Sequence, residues 1–299
     1  MPLDLSVIIT VWNVKDLALR AIRSVRASTH AIRYEILVVD DLSPDGAAEA
    51  ILAEFPPVQF PEVIVLRNAR NLGFAGSNNV GLRQAQGRYV LLLNADTEVQ
   101  PDALDEMVRF MDEHPDAGAS TCRLELPNGQ LDPASVRTIP TRTSAFYQAL
   151  GLHRLFPKSK RFAKYTASSF IDQSRTQKIE CLVGAFALVR REVVESVGLL
   201  DEQFFMYGED IDWCYRILQA GWSIYYHPAA RVIHYKGESN KQRALRMNYE
   251  FHRAMVLFYR KHYAGKSFFL LDWFTYAGIC LRCFFSYVRL LISRPLRFR

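Results

Sequence analysis

The chain is predicted to fold as an α/β protein on a parallel sheet. Over the first half of its 299 residues, short apolar runs alternate with stretches whose apolar residues recur at helical spacing. Turn formers separate these runs, and acids stand directly after two of the apolar ones. Composition agrees: 49% hydrophobic and 23% charged residues are globular values, and the length suits one large domain or a domain with an appendage.

Leu5–Val11 reads as a buried strand and residues 14–27 as an amphipathic helix. Residues 35–39 form a second strand, closed by the turn-rich loop Asp40-Asp41-Leu42-Ser43-Pro44-Asp45-Gly46. A helix over 47–55, a strand at Val63–Arg67, a loop over 71–76 and a helix over 77–86 come next. Residues 89–93 are a fourth strand ending at Asn94-Ala95-Asp96, and 101–113 a helix with Pro101 in its first turn. Residues 127–174, with the basic cluster 158–164, read as loops covering a site. Residues 179–189 are a strand interrupted by Gly184, 211–220 a helix, and 223–226 and 231–234 two short strands. Ligands of parallel sheets bind at the carboxyl ends of the strands, so Asp40, Asp41 and Asp96 should gather on one edge.

The formal charge of +6 is unevenly spread. From residue 241 onward there are twelve Lys or Arg against Glu250 and Asp272, while residues 1–240 carry a net −4. That balance argues against nucleic acid as a partner and for a basic tail that meets an anionic surface. Five scattered cysteines imply no disulfide framework, and Cys280 and Cys283 lack the further ligands zinc would need. Met1 to Ser6 lead into an apolar strand without a signal peptide, so the expected compartment is the cytoplasm. Residues 267–292 are apolar and aromatic but interrupted by Asp272, Arg282 and Arg289. Their longest uncharged stretch, 273–281, falls short of the roughly 20 residues a bilayer requires. An interfacial helix and a helix pair packed on the domain both remain open.

Several clusters carry chemistry. Asp40-Asp41 suits a helix cap or an acceptor for a base N–H or a ribose hydroxyl. Asp96, just beyond a buried strand, suits a hard divalent cation such as Mg²⁺ or Mn²⁺, with a diphosphate supplying further oxygens. Asn71-Leu72-Gly73-Phe74-Ala75-Gly76-Ser77-Asn78-Asn79 allows close backbone approach, and the helix end behind it favours an anion. Gly208-Glu209-Asp210-Ile211-Asp212 sets three carboxylates ahead of a helix, more than capping requires, and suits a general base. His234, in His234-Tyr235-Lys236-Gly237-Glu238-Ser239, is either structural or completes a metal shell with Asp96.

Taken in order, these segments resemble family 2 glycosyltransferases. The opening strand ending Thr10-Val11-Trp12-Asn13 is similar to theirs, and Val38-Val39-Asp40-Asp41 resembles their nucleotide-binding loop. Residues 71–79 resemble NxGFxxxNN, and Asn94-Ala95-Asp96 stands where they carry DxD. Gly184-Ala185-Phe186 resembles their acceptor-side strand, Gly208-Glu209-Asp210 their ED motif, and the His234 segment the HxxGxS of the rhamnosyltransferase-like branch. Asn94 departs from an acid, as is common in that branch, and Trp12 from a tyrosine. The resemblance implies the GT-A fold: Rossmann-like, with a mixed, mainly parallel sheet flanked by helices, here with a C-terminal helical appendage. The implied catalytic domain is 1–240, and 241–299 is a basic, aromatic-rich helical segment for which attachment to a membrane surface and packing on the domain both stay open.

The resemblance also implies inverting transfer from a dTDP- or UDP-sugar, rhamnose suggested by the branch, to a saccharide or lipid-linked acceptor in cell-surface polysaccharide synthesis. Asp96 and His234 would hold the metal. Thr10, Asn13, Asp40, Asp41, Asn71, Gly73, Asn78, Asn94, Ala95 and Gly184 would bind the nucleotide sugar. Asp210 would be the base, with Glu209 its neighbour on the acceptor side. The implied location is the inner face of the cell membrane. Two alternatives stand beside this reading: a sugar-nucleotide nucleotidyltransferase, although residues 11–15 lack its basic glycine-rich loop, and an inactive sugar-nucleotide-binding scaffold.

Overall fold

The computed structural model describes residues 3–142, 171–236, 244–266 and 269–292. Its first half alternates as the sequence predicts: β1 (Leu5–Val11), α1 (Lys15–Ala27), β2 (Tyr34–Asp40), α2 (Ala47–Glu54), β3 (Val63–Arg67), α3 (Gly73–Gln84) and β4 (Tyr89–Asn94). Then come β5 (Thr97–Val99), α4 (Ala103–Glu113), β6 (Ala117–Glu125), β7 (Val136–Arg137), β8 (Gln177–Ile179), β9 (Cys181–Leu182) and β10 (Phe186–Arg190). The remaining elements are α5 (Arg191–Val197), α6 (Glu209–Gln219), β11 (Ser223–His234), α7 (Ala244–His262) and α8 (Phe269–Ile292).

The main sheet runs β3-β2-β1-β4-β10-β6-β11-β5, with β8 on β11. β1 to β4 pair in parallel, whereas β10 enters antiparallel between β4 and β6, so the sheet is mixed. Alternation along each strand sends side chains to two cores. Val7, Ile9 and Val11 join Ile22 of α1 and Met107 of α4 on one face. Ile8, Leu37 and Leu92 join Leu82 of α3, Ile217 of α6 and Phe258 of α7 on the other. Full burial of each such side chain is worth roughly 1.5–3 kcal/mol.

Four boundaries differ from the sequence reading, each for a tertiary reason. The helix expected from 77 begins at Gly73 because the Asp41 carboxylate accepts the Leu72 and Gly73 amides at 2.7 and 3.1 Å. The helix expected from Pro101 begins at Ala103, after Asp102 at φ 60°. The interrupted strand 179–189 is three strands in two sheets, since β9 leaves to pair with β7. The two short strands are one, β11, whose register shift between His227 and Arg231 absorbs Pro228. The basic cluster 158–164 lies outside the described residues.

The C-terminal helices are built differently from each other. α7 buries Ala254, Phe258 and Tyr259 against the domain. α8 packs along α7, leaving Trp273 64% and Phe285 65% exposed. By length and composition only, the 24-residue α8 is long and apolar enough to cross a bilayer, although its longest uncharged stretch is shorter.

Candidate active site

Strand register assembles the site. Thr10 of β1 lies opposite Asn94 of β4, and Val11 opposite Asp40 of β2, so one sheet edge collects the residues that end three strands. On the far side β11 runs antiparallel to β5, His234 opposite Thr97, and the Tyr235 amide donates to the Asp96 carbonyl at 2.8 Å. His234 and Asp96, 138 positions apart in the numbering, thereby meet with Nε2 3.3 Å from Oδ1. A cleft opens beside them, lined by Thr10, Trp12, Asn71, Asn94, Ala95 and Asp96 from the sheet edge and by Phe205, Met206 and Met247 opposite.

His234 is fixed from behind. Its Nδ1 lies 2.9 Å from Oδ2 of Asp132, which has no exposed surface and also takes Lys236 Nζ at 2.8 Å. Burial works against the charged imidazole, but the Asp132 and Asp96 carboxylates outweigh it and push His234 up to about 9. Burial likewise opposes the Asp132 charge, but His234 and Lys236 hold that carboxyl well below its ordinary range. A carboxylate behind a histidine orients the ring and raises its donor strength, the arrangement found behind metal-bound histidines. With its Nε2 proton released, His234 beside Asp96 would offer a nitrogen and an oxygen to a divalent cation; among the described residues no group of three His, Cys, Asp or Glu does so, and a bound diphosphate would have to supply the remaining oxygens.

The expected nucleotide residues divide into two groups. Thr10, Asn71, Gly73, Asn94, Ala95 and Asp41 line the cleft. Asn71 Oδ1 is buried and without a hydrogen-bond partner among the described residues, an acceptor left over at the cleft wall. The others act on the loops around it. Both oxygens of Asp41 hold amides of the Asn71–Gly73 loop and the Asn68 side chain. Asp40 accepts the Ser43 amide, and the Asn13 amide, at φ 57°, donates to Ser43 Oγ. Asn78 turns back to the Phe74 carbonyl. The amides of Leu72 and Gly73 are therefore spent on Asp41, and that of Phe74 on the Phe205 carbonyl at 2.8 Å. Gly73 has its own requirement: at φ +75° an added Cβ would stand 2.3 Å from the Phe205 carbonyl oxygen.

The acidic trio splits by partner. Asp210 pairs with Arg137 of β7 and accepts the Gly184 amide at 3.3 Å, so both are joined to the strand after the covering loops. Asp212 is wholly buried among Arg216, Lys261 and His262 at 2.8, 2.9 and 2.7 Å, and its role is to clamp α7 to α6. It has no acceptor capacity to spare as a reserve base. Glu209 is buried with Oε2 unpartnered among the described residues. Burial pushes its carboxyl up, to about 8, and the neighbouring Asp210 charge adds to the rise.

A carboxyl raised in the folded state binds its proton more tightly there than in the unfolded chain. Its contribution to stability is complete below the ordinary value of 4.5 and is lost as pH rises toward about 8. Glu209→Gln is therefore expected to gain melting temperature relative to the parent as pH rises from 5 to 8. A difference that stays flat across that range would place the Glu209 proton elsewhere.

Asp132, Arg137, Phe205, Met206 and Met247 were absent from the sequence reading. Nothing local marks them: Asp132 lies 102 positions from the histidine it orients. Gly237, Glu238 and Ser239 of the His234 segment lie outside the described residues.

The N-acetylglucosaminyl-diphospho-decaprenol L-rhamnosyltransferase of Mycobacterium tuberculosis (strain CDC 1551 / Oshkosh) is 26% identical over 258 residues, covering 83% of this chain and 81% of that protein. Among solved structures, GalNAc-T7 with UDP, GalNAc and Mn²⁺ superposes with a TM-score of 0.65 at 19% identity, over 90% of this chain and 50% of that one. This chain thus spans half the length of that neighbour. The mannosyltransferase PcManGT from Pyrobaculum calidifontis, in complex with GDP-Man and Mn²⁺, gives 0.59 at 17% identity, over 98% and 79%. Both share the fold of a mixed sheet flanked by helices. Residues 6–198 match glycosyl transferase family 2, most of the chain and every strand that builds the cleft edge except β11, and the chain belongs to that family.

Proposed function

We propose that this glycosyltransferase moves a sugar, rhamnose by likeness to the mycobacterial relative, from a dTDP- or UDP-sugar to a hydroxyl of a saccharide or lipid-linked saccharide, with inversion, in cell-surface polysaccharide synthesis. The observation that carries the reading is the Asp96–His234 pair at 3.3 Å beside the cleft, with Asp132 orienting the ring. Asp96 and His234 would hold Mg²⁺ or Mn²⁺, which supplies positive charge against the diphosphate of the departing nucleotide. Asn71 Oδ1 suits an N–H of the nucleobase, and Thr10, Asn94 and Ala95 flank the path of the diphosphate. Asp210 takes the proton of the acceptor hydroxyl. The freed oxygen bonds to the anomeric carbon as the bond from that carbon to the nucleotide breaks on the opposite face.

Residues 1–240 act as the catalytic unit, to which α7 lends Met247 of the cleft wall. The basic segment from 241 attaches the enzyme to the inner face of the cell membrane. The exposed aromatic face of α8 supports this, and Arg294, Arg297 and Arg299 of the same segment lie outside the described residues. The functional test is binding of UDP-, dTDP- and GDP-sugars with and without Mn²⁺. Asp96→Ala is expected to abolish Mn²⁺-dependent donor binding with the melting temperature little changed. Undiminished donor affinity in that variant would overturn the metal assignment.

A further inference from the structure

The helix pair α7–α8 contains a second cavity, of about 420 Å³, outside the donor cleft. Helical spacing builds it. On α7, Asn248, Phe251 and His252 stand at i, i+3 and i+4; on α8, Arg282, Ser286 and Arg289 stand at i, i+4 and i+7, so each set shares one face. Two guanidinium groups lie on its wall without a carboxylate among the lining residues.

The cavity also holds one acceptor and one donor that the fold leaves over. His252 is 4% exposed; its Nδ1 lies 2.8 Å from the Asn248 carbonyl oxygen and so carries the hydrogen, leaving Nε2 as the ring atom without a partner among the described residues. Asn248 Oδ1 accepts the Ser286 hydroxyl at 2.6 Å, and its buried Nδ2 is unpartnered among the described residues. Leaving such buried polar groups unmet is costly, and an occupant that both accepts and donates satisfies them. Burial and the Arg282 charge favour the neutral ring, so Nε2 is an acceptor, and a phosphate monoester would meet two guanidinium groups and an amide while its own hydroxyl donates to Nε2.

We propose that this cavity binds the phosphate group of a lipid. The surroundings choose a lipid over a free anion: Phe285 lines the cavity while 65% exposed, and Leu281, Phe284 and Tyr249 are exposed beside it in sequence. An occupant with an anionic head and an apolar tail fits that arrangement. Position adds a role, because Met247 lines the donor cleft while its neighbour Asn248 lines this cavity, and Phe251 packs edge-on against Tyr207, two residues before Glu209. A lipid held here by its phosphate has its head beside the acceptor side of the cleft. The inference rests on the proposed membrane attachment and adds a site of defined chemistry to it.

The test uses the full chain and three sets of vesicles: phosphatidylcholine alone, phosphatidylcholine with phosphatidylglycerol, and phosphatidylcholine with phosphatidic acid at matched surface charge. The last exposes a phosphate monoester. Wild type is expected to prefer the monoester vesicles, and His252→Phe, which fills the cavity without changing the charge of a neutral histidine, to lose that preference. Arg289→Gln should weaken monoester binding about fivefold, the effect of one basic group at an anionic surface. Donor binding should persist in both variants, which also reports that they fold. If His252→Phe and wild type bind all vesicles alike, the site is wrong and attachment is by general charge. If wild type binds no vesicle, the membrane reading fails with it. Equal thermal stabilisation of wild type by inorganic phosphate, without vesicles, would overturn the lipid part.

Discussion

Asp210→Asn is expected to lower turnover by about 10²–10⁴-fold while donor affinity survives. The substitution keeps the side chain's size, and its amide oxygen still accepts the Gly184 N–H that Asp210 takes at 3.3 Å. What it removes is the site for the acceptor's proton and the charge opposite Arg137. Steady-state rates together with calorimetric donor binding separate the two effects. Loss of donor binding in parallel with turnover would mean that the Arg137 pair holds the cleft together, and turnover equal to the parent would move the base to Glu209. Asp212 is not an alternative, because it is wholly buried with its oxygens held by Arg216, Lys261 and His262.

Asp212→Ala should be the most damaging single change to stability, by about 3 kcal/mol, the lower end for breaking a buried ion pair because Lys261 remains a third exposed. For a domain of this size that is a fall of several degrees in melting temperature. Burial opposes the Asp212 charge, but His262, Lys261 and Arg216 outweigh it and hold the carboxyl down at about 2. A carboxylate depressed in the folded state contributes in full above its ordinary value near 3.8, and the contribution is lost as pH falls toward about 2. The gap between parent and variant should therefore be constant from pH 5 upward and narrow below pH 4. Since Lys261 and His262 belong to α7, protease sensitivity should rise first in the C-terminal helices. A gap that widened in acid would contradict the clamp.

Local pattern was enough for the parallel half of the sheet. In β1, β2 and β4 the apolar runs are buried on both faces, so each of these strands is declared by its own residues, and the acids after β2 and β4 reach the edge by chain connectivity alone. The strand Leu5–Val11 and the position of Asp96 after β4 were legible for that reason, and the edge strand Val63–Arg67 was legible from its apolar run Val63 to Leu66. The order of motifs along the chain likewise sufficed for the family. Partnership was not legible, because a hydrogen bond between residues 102 positions apart leaves no local mark. Asp40 and Asp41 look equivalent in sequence, yet the turn after β2 sends one to the Ser43 amide and the other to the start of α3. Glu209, Asp210 and Asp212 look like one acidic cluster, yet a helix turns successive side chains by about 100°, toward different neighbours. Composition and spacing determined which residue types stand at the sheet edge. Only the packing of α7 on α6 and of β11 on β5 decided which carboxylate clamps the fold, which faces the cleft, and which orients the histidine, because those choices depend on what each side chain meets in space.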